Sequence, residues 1–393
     1  MAQALEDIVV ADFTHVMAGP FATHLLRLLG ATVIKIEEPS HGDTMRSYGD
    51  DRRYNGMSPA FIAVKAGKKS IALDLKNEEQ LAIARDIVRK ADVLVENFRP
   101  GVISRLGLGY DAVRQINPDI VYCSVSGYGQ TKSKYRDWPA IDNIVQATSG
   151  MMELGGEHGD PPVRVGFPVV DTLTGQTAAF AILAALLRRD RGGGGDYIDG
   201  AMFDATLAFM TSALVPYLVT GKTMRRTGNI GYSGQPTSGL FSTADGRMVS
   251  LGVVQQRQFI ALVKFLGCEA WLEDPRFATP DQRRVHASEL HEQLEAILRT
   301  RPAAYWEEAM SDVGIPCGMV RDVSEAAGFE HLHERGLRLP IRVPGLPENE
   351  NIDIVNSGFL SAAGSPTVDA PPPALDEHHA EILKWLEQEK CAG

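Results

Sequence analysis

A chain of 393 residues, 44% hydrophobic and 23% charged, is long enough to bury a large core in two or more domains and has the composition of a soluble globular enzyme. Its net charge of −11, with no clustered Lys/Arg tract, argues against a nucleic-acid-binding surface. Cys123, Cys268, Cys317 and Cys391 are scattered without metal-ligand or redox spacing, which points to a reduced, cytoplasmic setting.

Residues 1–13 lack a basic n-region and carry Glu6, Asp7 and Asp12, so they do not read as a signal peptide. Residues 8–11 predict a buried strand, 20–29 an amphipathic helix and 32–36 a second strand. Residues 70–75 predict a strand, 77–90 a helix, and 93–96 and 120–125 two further strands. Strands separated by helical stretches imply a doubly wound parallel sheet, whose functional groups collect beyond strand C-terminal ends. His15, Asn97, Ser126 and Asp171 all follow predicted strands, which places them at one site.

The run 165–170 reads as a short buried strand closed by Asp171, and 177–187 as the apolar helix after it. From spacing alone Asp171 is equally an N-cap. The apolar core of that helix, 178–187, is too short to span a bilayer and ends in Arg188-Arg189, so no membrane span is expected. Gly192 to Gly195 reads as a helix stop and turn, whereas the glycine-rich loop 228–236 is long, flexible and placed between domains, as a lid would be. The chain then continues with a strand at 247–253 and helices at 258–266, 289–300 and 303–313. The stretch 338–373 is Pro-rich and reads as extended chain, before an amphipathic helix at 377–389 whose His378-His379 pair lies on its exposed side.

Neither glycine cluster fits GxGxxG or a Walker loop, and there is no GxSxG elbow, HExxH helix or paired Cys/His set. Nicotinamide, nucleoside triphosphate, serine-hydrolase and metal chemistry are therefore unsupported. His15 is the plausible histidine base; it reads equally as a hydrogen-bonded histidine at a strand end.

Several segments in order resemble one family. The stretch 12–20 (DFTHVMAGP), 29–37 (LGATVIKIE) with Gly42-Asp43, 68–76 (KKSIALDLK), 91–101 (ADVLVENFRPG), 314–318 (GIPCG) and 375–378 (LDEH) are similar to class III coenzyme A transferases, the CaiB/BaiF family that includes formyl-CoA transferases and 2-methylacyl-CoA racemases. The resemblance implies an α/β fold with a Rossmann-like large domain over 1–200, completed by a C-terminal helix at 374–393. It also implies a linker at 201–219, a small α/β domain at 220–300 with the glycine loop before it, and a return linker at 301–373. Family chains form open rings interlocked as homodimers.

By the same resemblance Asp171 is the nucleophile, Gly231, Gly234 and Gln235 belong to the loop that covers its acyl intermediates, and His15 and Asp142 support the site. Val16, Leu73, Lys76, Asn97, Phe98 and Arg105 match positions that hold coenzyme A, while a family arginine is replaced by Glu38. The substrates implied are a CoA thioester and a small carboxylic acid, with no tightly bound cofactor and no metal. Racemases of the family carry a Gly-His-Asp segment where this chain has Ala140-Ile141-Asp142, so racemisation lacks its second base and transfer is favoured over racemisation or an intramolecular CoA shift. A non-catalytic acyl-CoA-binding protein would have no need of Asp171. Met17, Ala60 and Ile141 replace a Gln and two Tyr of the formyl-CoA:oxalate branch, which predicts a roomier, apolar acyl pocket. That pocket is expected to be poor with oxalate and to suit C4–C6 dicarboxylates such as succinate, itaconate or mesaconate, with Arg46, Lys65 or Arg164 as partner for the distal carboxylate.

Overall fold

The computed structural model describes residues 3–49, 51, 53–347, 350–368 and 370–388. The chain divides into two compact units. The first holds most of 1–151 with 164–222 and the stretch from 330 onward; the second holds 152–163 and 223–329.

Six strands build the first unit: β1 (Val9–Phe13), β2 (Thr32–Glu37), β3 (Lys69–Ala72), β4 (Val93–Glu96), β5 (Val121–Ser126) and β6 (Asp196–Ala201). They pair in parallel in the order β3-β2-β1-β4-β5-β6, as the alternation of strands and helices predicts. The order reverses between β1 and β4, so a crevice opens at their C-terminal ends. The intervening helices are α1 (Ala18–Leu28), α2 (Pro59–Lys65), α3 (Glu78–Lys90), α4 (Val102–Arg105), α5 (Tyr110–Ile116), α6 (Asp142–Thr148) and α7 (Val169–Arg188). Helix α3 shows why such stretches fold as they do. Asn77 caps it by accepting from the N–H groups of Glu79 and Gln80, acids fill its first turn and Arg89 and Lys90 its last.

Strand alternation sends side chains to two apolar layers. Ala11, Ile34, Leu94 and Tyr122 face Leu81, Ala84, Ile87 and Val88 of α3. Val10, Val33, Val93, Val121 and Cys123 face Ala22 and Leu26 of α1 and Ala178, Ile182 and Ala185 of α7. Helices α1 and α7 touch so closely that a Cβ at Gly175 would lie 2.6 Å from the Ala18 carbonyl oxygen. That glycine therefore lets α7 bring its first turn beside the β1–α1 loop.

Three sequence expectations change. Residues 165–168 form no strand, and α7 begins at Val169, so Asp171 lies inside the first turn rather than beyond a strand. The helix extends through a π turn to Gly193 and reaches the length and hydropathy of a bilayer span, longer than the 178–187 run suggested. Half of it is buried, against the sheet and α1, as in the core helix of a water-soluble fold. The stretch 201–219, expected as linker, is instead largely helical, as α8 (Met202–Phe209) and α9 (Thr211–Thr220), and belongs to the first unit.

The second unit holds an antiparallel sheet of β7 (Ser238–Ser242), β8 (Met248–Gly252) and β9 (Cys317–Met319). Helices α10 (Gln256–Leu266), α11 (Pro280–Val285), α12 (Ala287–Leu298), α13 (Ala303–Asp312) and α14 (Val323–Ala327) accompany it. Residues 303–319, expected at the start of a return linker, instead supply Ala303, Trp306, Met310 and Ile315 to its core. Back in the first unit, α15 (His331–Glu334) precedes an antiparallel pair, β10 (Arg338–Ile341) and β11 (Ile352–Val355), inside the stretch expected as extended chain. Helix α16 (His379–Glu387) closes on β3; the rest of the expected 374–393 helix, from 389, lies outside the described residues, as does Cys391. His378 accepts from the Ser70 N–H and His379 pairs with Asp376, so neither merely faces solvent.

Beneath the crevice lies a fully buried set of charges. Lys68 meets Asp12 at 3.0 Å and also donates to the Pro20 carbonyl and Thr23. Lys35 and Lys65 both meet Asp43, at 3.2 and 3.1 Å, and donate to the carbonyls of Thr14 and Val16. The lysines hold Asp12 and Asp43 ionised, well below the usual carboxylate range despite burial. Depressed carboxyl pKa values contribute stability above the unfolded value near 4 that is lost as pH falls. Asp12→Ala leaves the fully buried Lys68 without its paired carboxylate, which costs roughly 3–5 kcal/mol. We expect its thermal midpoint at pH 7 to fall by at least about 6 °C. An unchanged midpoint by calorimetry would mean the buried charges are not coupled as described.

Candidate active site

A cavity of about 540 Å³ opens at the crevice. His15, Val16 and Met17 of the β1–α1 loop line it, with Asn97 and Phe98 beyond β4, Ile141 and Asp142 at the start of α6, and Asp171 of α7. A second cavity, of about 390 Å³, is lined by Leu73, Lys76 and Glu38 and shares His15 and Phe98 with the first. The two form a continuous wall along the strand ends.

The β1–α1 loop is held by specific bonds. Val16 has φ 63°, a left-handed conformation that a β-branched residue adopts only under constraint. Its N–H donates to Asp43 and its carbonyl accepts from Lys65. Asn97 exchanges two 2.8 Å hydrogen bonds with the His15 backbone, locking the loop to β4. Burial lowers the His15 pKa, so its ring stays neutral near pH 7, 5.5 Å from the Phe98 ring.

Asp171 stands apart from these paired charges. Burial first, and then the nearby Asp142 carboxylate, push its pKa up to about 7. No cation acts on it. The first turn of a helix ordinarily stabilises a carboxylate. Here Asp142 has taken that place: its Oδ2 accepts from the N–H groups of Val170 and Asp171, at 2.7 and 3.2 Å. Asp142 is in turn held by Gln146, which donates to its Oδ1 at 2.6 Å and accepts from the Val165 N–H at 2.8 Å. The result is a partly buried, basic carboxylate facing an open cavity. It can attack an electrophilic carbonyl or accept a proton.

The structure brings together His15, Val16, Met17, Asn97, Phe98, Ile141, Asp142 and Asp171 around the first cavity, and Leu73, Lys76 and Phe98 around the second. Arg105 is exposed at the end of α4, its guanidinium close to Gly101. Ala60 does not line the cavity of Asp171. It sits on α2 against the cluster of Met57, Phe61 and Ile62, because its helix face points inward. Gly231, Gly234 and Gln235 lie in the second unit, where local bonds shape their turn. The Gly231 N–H donates to Ser238 at 2.6 Å, Gly234 has φ +65°, and the buried Gln235 amide donates to the Pro280 carbonyl. Of the cations considered for a distal carboxylate, Arg46 is bound to Glu37 at 2.6 Å and Lys65 to Asp43, so both are taken. Arg164 lines the cavity. Arg99, Arg136, Tyr48 and Gln146 were not singled out from the sequence. The first three face the cavity from loops with no periodic signal, and Gln146 reads as an ordinary helix residue.

A Rossmann-order sheet with a basic carboxylate in the cavity at its strand ends is the architecture of an enzyme rather than of a simple scaffold. The family description "CoA-transferase family III" matches residues 5–379, and the chain belongs to that family. It is 39% identical over 384 residues to the acetyl-CoA:oxalate CoA-transferase of Acetobacter aceti, covering 96% of this chain and 95% of that one. It is 34% identical to the succinyl-CoA–D-citramalate CoA-transferase of Chloroflexus aurantiacus, with 97% and 94% covered. The succinate–glutarate CoA-transferase of Agrobacterium fabrum is 33% identical, with 98% and 96% covered. A CaiB/BaiF family protein from Brucella suis has the same fold, with a TM-score of 0.87, 29% identity, and 98% and 100% of the two chains covered.

The raised pKa of Asp171 has a stability consequence. An acid with a raised folded pKa contributes most at low pH, and the contribution declines between its unfolded value, 3.8, and about 7. Above pH 7 the native state carries an unpaired buried charge. Asp171→Asn removes it, so its thermal midpoint at pH 8 should exceed wild type by about 2–4 °C for each ~1 kcal/mol relieved. The gain should shrink as pH falls from 7 toward 4. A gain that is equal at pH 8 and pH 4 would show that the Asp171 charge is not its cause.

Proposed function

We propose that this enzyme moves CoA from an acyl-CoA donor to a C4–C6 dicarboxylic acid through a thioester on Asp171. The observation that carries the reading is the unpaired Asp171 carboxylate in a cavity continuous with the Leu73, Lys76 and Phe98 wall. CoA lies with its adenosine end toward Phe98 and Leu73, its phosphates near Lys76 and Arg105, and its thioester toward Asp171.

Asp171 attacks the thioester carbonyl, forming a mixed anhydride and releasing CoA thiolate. The thiolate attacks the Asp171 carbonyl, expels the donor acid and leaves aspartyl-CoA. The acceptor carboxylate attacks that thioester to form a second anhydride, and the thiolate then takes the acceptor acyl group and restores Asp171. Both nucleophiles are anions, so no general base is required. The neutral ring of His15 and the capping carboxylate of Asp142 support the site without exchanging protons. A resident cofactor or metal has no step to perform.

The rival 2-methylacyl-CoA racemisation needs a second base, and Ile141 in the same cavity wall offers none. We also read the chain as half of an interlocked homodimer, because Phe209, Leu218 and Val219 of α8 and α9 are 63%, 68% and 78% exposed. Unpaired Cys123, Cys268 and Cys317 support a cytoplasmic setting.

Asp171→Ala is expected to lose transfer by at least about 10³-fold while remaining folded, in line with the loss of a covalent nucleophile. Intact-mass spectrometry should show a CoA adduct on wild type incubated with acyl-CoA and none on the variant. Normal turnover by the variant would sink the mechanism.

Substrate range rests on Met17 and Ile141, which make part of the wall apolar, and on Arg164, which with Arg99 and Arg136 brings positive charge to the cavity for a distal carboxylate. The Acetobacter relative is named for oxalate, and the Chloroflexus and Agrobacterium relatives for longer acids. With one CoA donor, succinate, mesaconate, itaconate or glutarate should give a higher kcat/KM than oxalate. Oxalate at the top of that series would show that Met17 and Ile141 do not set the acid size.

A further inference from the structure

We infer that Gln146 is a positioning residue for the transfer reaction, fixing Asp142 on the first turn of α7 so that Asp171 meets substrate unpaired. The inference rests on the proposed role of Asp171 and goes beyond it. Gln146 is fully buried, on α6, four residues after Asp142. Both ends of its amide are used: Nε2 donates to Asp142 Oδ1 at 2.6 Å, and Oε1 accepts from the Val165 N–H at 2.8 Å. The chemistry fixes which end is which. A flipped amide would set its oxygen against a carboxylate and its NH₂ against an N–H, losing both bonds.

The consequence runs through Asp142. With Oδ1 held by Gln146, Oδ2 is aimed at α7 and occupies the N–H groups of Val170 and Asp171. Those donors are otherwise the natural partners of the Asp171 carboxylate. Gln146 thus denies Asp171 the stabilisation its helix position would give, and keeps a second negative charge beside it. Its other bond anchors the segment entering α7, which carries Arg164 and Phe167 on the cavity wall. The other titratable or charged groups lining that cavity are His15, Arg99, Arg136, Arg164 and Tyr48, and none bonds to Asp142 or Gln146.

Two substitutions at this position should move Asp171 in opposite directions. Gln146→Leu removes the donor, so Asp142 either takes a proton or leaves the helix end. Asp171 then binds its proton less tightly, and the acid limb of kcat/KM against pH shifts down from near 7 by half a unit or more, about threefold in relative rate on that limb. Gln146→Glu keeps the shape and the acceptor but adds a carboxylate beside Asp142, so the limb should shift up. A role confined to packing would lower the plateau in both variants without moving the midpoint. The experiment is the pH profile of kcat/KM for wild type, Gln146→Leu and Gln146→Glu, each checked for folding by circular dichroism. Opposite shifts support the inference, and unmoved midpoints in folded variants overturn it. If Gln146→Leu does not fold, the upward shift of Gln146→Glu decides alone, and its absence overturns the inference. Failure of the underlying reading is distinct, since Asp171→Ala would then retain turnover.

Discussion

The site depends on a buried arrangement of two carboxylates and three lysines. Asp12 and Asp43 hold Lys35, Lys65 and Lys68, and the lysines hold the carbonyls of Thr14, Val16 and Pro20. Removing five ionisable groups from water is costly, and only mutual pairing with added hydrogen bonds makes it tolerable. What that arrangement secures is a loop in a conformation the chain would not adopt by itself, with Val16 at positive φ. Because Asp43 also takes the Val16 N–H, the loop is gripped from both sides of one residue. The cavity-lining residues His15, Val16 and Met17 inherit their positions from this grip.

The site itself follows the opposite rule. Below the loop each buried lysine meets a carboxylate, while at α7 two carboxylates stand together with no cation acting on Asp171. Asp142 is satisfied by the helix N–H groups and by Gln146; Asp171 is satisfied by nothing in the described residues. The asymmetry suits the role proposed for Asp171, since a carboxylate without a paired cation is more basic and a better nucleophile. The rigid placement of α7 against α1 through Gly175 is what allows such a pair to persist without swinging apart.

Family membership and geometry bear on different questions. Membership in CoA-transferase family III establishes the class of reaction, and relatives named for oxalate, citramalate and glutarate span acids of several lengths. The geometry narrows the choice by removing candidates. Arg46 and Lys65 are bound to internal carboxylates and Ala60 packs on the core, whereas Met17, Ile141 and Arg164 line the cavity of Asp171.

Sequence alone determined the parallel α/β class and nearly every strand of the large sheet, and it singled out Asp171, Asn97 and Phe98, which the fold brings to one cavity. Buried parallel strands announce themselves as short apolar runs between helices, and the motifs around Asn97 and Lys76 are local in the chain. The run 165–170 misled for a physical reason. It has the composition of a strand, but it pairs with no strand of the sheet, whose order runs β3-β2-β1-β4-β5-β6 without it. Its Val165 N–H goes to a glutamine side chain, and its last residues turn into α7. Only the tertiary structure decided which cations were free, that Ala60 faces inward, and that Asp142 rather than Asp171 caps the helix. Each depends on contacts between residues far apart in sequence, which no local pattern of composition or period encodes.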